Sequence, residues 1–315
     1  MDGVGYIIGA AFVLDLLLGD PEGWPHPVRW MGRAIEHFEP KFRQLKLQTG
    51  RAGALFALSL ILGTFLLTWL AIALAGWLHP AAGIALEVIL LFYCISVRSL
   101  EKAALGVFTA LRHEGVQGGR AAVAMIVGRE TAALDEPEVA RATVETVAEN
   151  LVDGVLSPLF YALLGGVPLA LAFKMINTLD SMVGYNNEKY REFGRAAARI
   201  DDAANYIPAR LSVLFIALTA QLTTKRGWPA LLTGFRDGRK HTSPNAGFSE
   251  AAFAGALEVR LGGPGTYHGK LVEKPHLGEA YRAVTTDDIP RACRLMVITS
   301  LLWLAGIQFM AIALL

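Results

Sequence analysis

Lys174, Asn177, Asp180, Ser181 and Asn186 stand close together in KMINTLDSMVGYNN, residues 174–187, at the end of an apolar run, VLSPLFYALLGGVPLALAF. On a helix at 100° per residue, Lys174, Asn177, Thr178, Asp180, Ser181 and Tyr185 share an arc of roughly 160°. Met175, Ile176, Leu179, Met182 and Val183 take the other side. The same run is preceded by AENLVDG, with Glu149, Asn150 and Asp153, and followed by ARIDDAANYIPAR, with Asp201, Asp202, Asn205 and Arg210. Helical spacing makes Glu149 and Asp153 i,i+4 neighbours that converge. Carboxylates and carboxamides gathered at a membrane edge suit a cation, and magnesium with a polyphosphate is the usual guest of such oxygen ligands. Two plainer accounts stay open: an interfacial helix end whose lysine snorkels, and helix capping by Asp201 and Asp202.

Further candidates lie in loops. GDPEGWPHPVRWMGRAIEH sets His26 and Arg29 among prolines, either to hold positive charge toward an anionic substrate or as a stiff connector with Trp24 and Trp30 at the interface. SPNAGFSEAAFAGALEVRLGGPGTYHGK offers Ser243, Asn245 and Glu250, and glycines, among them Gly263 and Gly265, that free backbone N–H groups for phosphate oxygens. It is not a P-loop: Gly269-Lys270 would need glycine at Pro264 and a hydroxyl at Leu271. GRETAALDEP places Arg129, Glu130 and Thr131 near a helix junction, where an internal salt bridge is the bland account. His241, His268 and His276 lack metal spacing, and Cys94 and Cys293 fit neither a disulfide framework nor a zinc motif.

The elements that must carry these residues are membrane helices. Of 315 residues 53% are hydrophobic and 18% charged, with a mean hydropathy of +0.41, and soluble domains carry about a quarter charged. A net charge of +1 gives no reason to expect nucleic acid. Apolar stretches near 3–19, 52–78, 82–97, 155–175, 207–223 and 295–315 approach the roughly 20 residues a crossing takes. The first carries Asp15, which must face protein or water. The fourth has Gly165, Gly166 and Pro168 at its middle and is expected to kink or re-enter; the fifth opens on Pro208, suited to a first helical turn. The polar segments 20–51, 98–154 and 224–294 hold 23 of the 29 Lys and Arg and belong in the cytoplasm. Six crossings would put Asp180, Asp201 and Asp202 on the outer side. With the fourth and fifth stretches both re-entrant, four crossings remain and every motif faces one side. Within the loops, Pro137 after LDE starts a helix that runs to Gly154, and 187–204 reads as another. Strand signals are scarce. The expected architecture is a single all-α, polytopic membrane domain over 1–315, with four to six membrane segments and helical cytoplasmic loops.

LDLLLGDPEGWPHPVRWMG, GRET, ETVAENLVDGVLSPLFY, FKMINTLDSMVGYNNEKYREFGRAAARIDDAANYIPARL and SPNAGFSEAAFAGALEVRLGGPGTYHG, in this order, resemble the CobD/CbiB family of cobalamin biosynthesis, the adenosylcobinamide-phosphate synthases. The resemblance covers about residues 10–280. It implies an ATP- and Mg2+-dependent amide-forming enzyme of the inner, cytoplasmic membrane, with its active site on the cytoplasmic side. The substrates would be a corrinoid, adenosylcobyric acid, and aminopropanol or aminopropanol phosphate, with membrane lipid and other corrin-pathway enzymes as surroundings. For that chemistry, charge and location assign metal binding to Asp153, Asp201 and Asp202 with Glu149 or Asp180. Catalytic roles go to Lys174, Asp180 and Asp202. Substrate contacts fall to His26, Arg29, Arg129, Glu130, Asn150, Asn186, Ser243, Asn245, Gly263 and Gly265. Competing readings are an AmpE-like membrane sensor and a transporter; the latter should place polar residues in mid-span, whereas here they crowd the ends.

Overall fold

A computed structural model describes residues 3–21, 23–267 and 270–313. Eleven α-helices are present among the described residues: α1 (Val4–Leu18), α2 (Pro27–Arg43), α3 (Thr49–Leu78), α4 (Pro80–Phe92), α5 (Val97–Ala124), α6 (Glu136–Leu151), α7 (Ser157–Val183), α8 (Arg195–Thr224), α9 (Gly227–Asp237), α10 (Ala246–Leu257) and α11 (Asp288–Ala313). Four strands of two or three residues, β1 (Leu261–Gly262), β2 (Gly265–Tyr267), β3 (Lys270–Val272) and β4 (His276–Leu277), pair antiparallel as β1 with β4 and β2 with β3. These ladders depart from the strandless expectation; runs so short, set among Gly and Pro, are too brief to display alternation. The class remains all-α.

The helices divide into two compact units. The first gathers residues up to Ser96, Asp153–Asn205 and the stretch from Leu304; the second holds Val97–Val152 and Tyr206–Trp303. Five helical stretches are long and apolar enough to cross a membrane, and α1 is a shorter sixth. Only 17% of the most apolar window of α3 is buried, leaving Leu62, Leu66, Leu67, Leu70 and Leu74 outward. A face of that kind is made for lipid, and the chain is a multi-pass membrane protein.

In the first unit Asp15 is fully buried, so the carboxylate in α1 faces protein. The same helix is closed by α11: Gln308 Nε2 donates to Gly5 O at 2.8 Å. The fourth apolar stretch does not run through as a rod. Gly165 (φ −149°, ψ 24°) and Gly166 (φ 68°, ψ −169°) break α7, and Gly166 holds a conformation open essentially to glycine alone. Two contacts show that the limbs fold back. Asn177 Nδ2 donates to Asp153 Oδ2 at 3.3 Å, and the Tyr161 and Phe173 rings stack at 5.1 Å. Twenty-four residues of straight helix would span about 36 Å. The stretch is a helical hairpin whose open end carries Asp153 and Asn177.

The connection after the hairpin packs on the segment before α3. Arg43 Nη2 donates to Lys189 O at 3.0 Å, Tyr190 Oη donates to Glu39 at 3.3 Å, and the Phe193 ring meets Phe56 at 5.2 Å. Residues of 20–51 and 178–206, segments that six crossings would set on opposite faces, are in contact.

Two helix boundaries differ from expectation. Residues 188–194 are turns, and α8 begins at Arg195 and continues past Pro208, which is internal and not in the first turn. Proline leaves the carbonyl four residues back without its donor. Tyr161 Oη supplies one, donating to Ala204 O at 2.9 Å. The start of α6 follows expectation, with Asp135 and Glu138 forming a capping box and Pro137 in the first turn.

Cysteines placed singly at Lys46 and Glu188 should react with a membrane-impermeant maleimide from the same side; labelling from opposite sides would rule the hairpin out. Gly166→Ala should cost about 1–3 kcal/mol through backbone strain, read as a lowered Tm in detergent.

Candidate functional site

Two polar clusters stand out, one in each unit. In the first, Asn177 on the returning limb of α7 holds Asp153, which sits in a π-helical turn, Val152–Leu156, after α6. Asn177 also lies beside Asp201. Asn205 Nδ2 donates to Asp201 Oδ2 at 3.1 Å, and Ser157 Oγ donates to Asn205 Oδ1 at 2.6 Å. Asp180 and Asp202 are within electrostatic reach of Asp201 and of each other. Lys174, one helical turn before Thr178, lies near Cys94. Four of the acids singled out in the sequence are therefore linked, Asp153 and Asp201 through Asn177, and Asp180 and Asp202 through their electrostatic reach to Asp201. Asp201 Oδ1 is buried and takes no hydrogen bond. A buried carboxylate oxygen so placed, with like charges around it, is stabilised by a proton or a cation. Among the described residues no three His, Cys, Asp or Glu side chains converge as a ready-made metal centre.

The second unit encloses a cavity of about 130 Å³ lined by Arg129, Glu145, Glu149, His241, Glu250 and Lys274, with Asn150 and Gly263 at its wall. Glu145 is 7% exposed and ion-pairs with Arg129, while its other oxygen accepts the Gly262 N–H at 2.7 Å. Arg141, one turn earlier on α6, donates to Gly262 O at 2.6 Å. The two side chains thus fix Gly262, whose φ of 71°, like the 87° of Gly263, suits glycine. The Gly263 N–H donates to Pro275 O at 3.1 Å, so the amides at the head of this loop are already engaged. Burial pushes the Glu250 carboxyl well above its usual range, reinforced by the negative charges of Glu145 and Glu149. Burial likewise lowers His241, with Lys274 adding repulsion. Buried charges of both signs in one cavity suit a small polar ligand.

The remaining candidates fall elsewhere. Glu149 lines the second unit's cavity, and Asp153 sits in the π-helical turn that follows α6. His26 caps α2, accepting from Val28 N, and its ring meets Tyr93 edge-on at 4.7 Å. Arg29 donates to Trp24 O at 2.7 Å. Ser243 Oγ accepts from the Asn245 and Ala246 N–H groups before α10, and Asn245 Oδ1 accepts from Arg210 at 2.8 Å. Gly265 starts β2, Glu130 lies in the connection between α5 and α6, and Asn186 borders a surface groove. Of the 262–269 loop, His268 and Gly269 lie outside the described residues. Sequence reasoning missed Glu145 and Lys274 and gave His241 no role. The i,i+4 pair Glu145 and Glu149 was the available signal for the first; nothing local marks the other two.

The family model described as CobD/Cbib protein matches residues 8–296. "Cobalamin biosynthesis protein CbiB" of Salmonella typhimurium (strain LT2) is 47% identical over 300 residues, covering 94% of this chain and 93% of that protein. "Cobalamin biosynthesis protein CobD" of Klebsiella pneumoniae is 47% identical over 299 residues, with the same coverage. No solved structure matches the chain.

Glu250 gives a pH test. Its folded pKa is raised, so its contribution to stability is complete below the ordinary glutamate range and is lost as pH climbs through the raised value. Wild-type protein should lose Tm over that alkaline-going interval, and Glu250→Gln should flatten the loss; parallel profiles for the two would refute the assignment.

Proposed function

The chain belongs to the CobD/CbiB protein family, and on that premise we propose that it is the adenosylcobinamide-phosphate synthase of cobalamin biosynthesis, joining adenosylcobyric acid to aminopropanol or aminopropanol phosphate through an amide bond. The observation that carries the site is the gathering of Asp153, Asp180, Asp201 and Asp202 around Asn177, with Asp201 Oδ1 buried and unpartnered. Hard oxygen donors of this kind fit Mg2+, which keeps several waters and phosphate oxygens and takes only one or two carboxylates from a protein. Asp153 and Asp201 are the residues to hold it, with Asp180 beside them. When bound, Mg-ATP supplies the activation of the corrinoid carboxyl group that amide formation requires.

The chain's own groups divide the rest. Asp202 is less buried than Asp201; it accepts the proton that the amine must lose before it can attack. Lys174, on the polar face of the returning limb, meets the negative charge of phosphate or carboxylate. Arg129 and Asn150 in the second unit's cavity make substrate contacts, whereas His26, Arg29, Ser243 and Asn245 are occupied in holding turns and helix starts. The inner, cytoplasmic membrane, with the site on the cytoplasmic side, is the proposed location. No observation favours the sensor or the transporter.

Detergent-solubilised protein given adenosylcobyric acid, aminopropanol phosphate and Mg-ATP should yield the amide, detected by mass. Asp153→Asn and Asp202→Asn should each lower its formation by about 100-fold or more with membrane insertion intact. Ordinary turnover in either variant would remove that carboxylate from the site.

A further inference from the structure

Outside both clusters, the turn before α8 and the first turns of α8 carry three arginines at four-residue intervals, Arg191, Arg195 and Arg199. On a helical path that spacing stacks them along one face. Hydrogen bonds from Arg191 N to Asn187 O, Gly194 N to Tyr190 O and Ala198 N to Gly194 O keep the path close to helical through the turn. The three line one open groove of about 360 Å³ with Tyr185, Asn186 and Tyr190. Glu192 is the one acid at its wall. All three guanidinium groups are exposed, and none makes an ion pair or side-chain hydrogen bond among the described residues. Like charges stacked in this way repel one another, and an anion bound between them would relieve that repulsion.

The surface is also fixed in place. Asn187 Oδ1 accepts from Tyr190 N at 3.0 Å, Lys189 O is held by Arg43, and the Phe193 backbone lies against Gly53 too closely for any side chain there. The groove therefore stands on α2 and α3 and is not a loose loop. Arg195 is the first residue of α8, the helix end whose dipole favours an anion. Planar guanidinium forks match phosphate oxygens two at a time, an arrangement lysine does not reproduce.

We propose that this groove is a phosphate-binding site, taking the phosphate of an anionic lipid headgroup or of a soluble phosphoester. The assignment is independent of the carboxylate cluster and of the reaction proposed for it. Both sources share the chemistry of a phosphate clasped by two or three arginines; they differ in whether the ligand arrives through the membrane or from water.

The test uses the full chain in nanodiscs, with thermal unfolding as the readout. One arm titrates inorganic pyrophosphate onto protein in neutral phosphatidylcholine discs. The other compares those discs with discs containing phosphatidylglycerol. Wild-type protein should gain roughly 5 °C in Tm in at least one arm at ligand about 100-fold above Kd. The triple variant R191Q/R195Q/R199Q should gain about 1 °C or less, and R191K/R195K/R199K an intermediate amount. A response to pyrophosphate assigns a soluble phosphoester, and a response to phosphatidylglycerol assigns a headgroup. No response of the wild-type protein in either arm overturns the site, whatever the variants do. An undiminished response in the glutamine variant overturns it as well. Should the triple variant not accumulate, R199Q alone is expected to lose about half of the shift, and a full shift there counts against the site.

Discussion

Asn177 reaches Asp153 because the chain between them turns at Gly165 and Gly166 and retraces its path inside apolar surroundings. That reversal converts one sequence stretch, unremarkable in hydropathy, into two limbs whose polar ends lie side by side. With Asn177 beside Asp201 as well, a single carboxamide faces carboxylates from both flanking segments. The adjacent architecture follows from this requirement. Tyr161 on the outgoing limb donates to the Ala204 carbonyl that Pro208 leaves unmatched, and Ser157 on the same limb donates to Asn205. The helix that brings Asp201 and Asp202 is thereby tied to the hairpin at the point where its own ladder is interrupted.

The two clusters handle buried charge differently. In the second unit Glu145 is matched at once by Arg129 and by a backbone N–H, so its charge is satisfied within the fold, and Glu250 answers burial by holding its proton. In the first unit Asp153 and Asp201 accept from the Asn177 and Asn205 carboxamides, which donate hydrogen bonds without bringing a positive charge. An arrangement closed by ion pairs fixes shape; carboxylates held by carboxamides are the kind of oxygen donors a hard cation takes.

Hydropathy made the membrane helices legible: all six apolar stretches are helical, because burial in lipid depends on length and composition, which a window reads directly. Gly165, Gly166 and Pro168 also announced a break. They did not say how far the chain turns, since that depends on contacts such as Tyr161 with Phe173 that no local pattern encodes. Between Glu149 and Asp153 α6 passes into a π turn, which a 100° step does not foresee. Pro208 misled because the donor it cannot give to the Ala204 carbonyl comes from Tyr161, 43 residues before Ala204. In the glycine loop the Gly262 and Gly263 amides donate to Glu145 and to Pro275 O, partners that no local pattern names.

The closure of α1 by Gln308 joins positions 303 residues apart. Synthesis runs from the amino end, so the Gly5 carbonyl is made long before the Gln308 amide that donates to it, and this one contact cannot form until α11 has been synthesised.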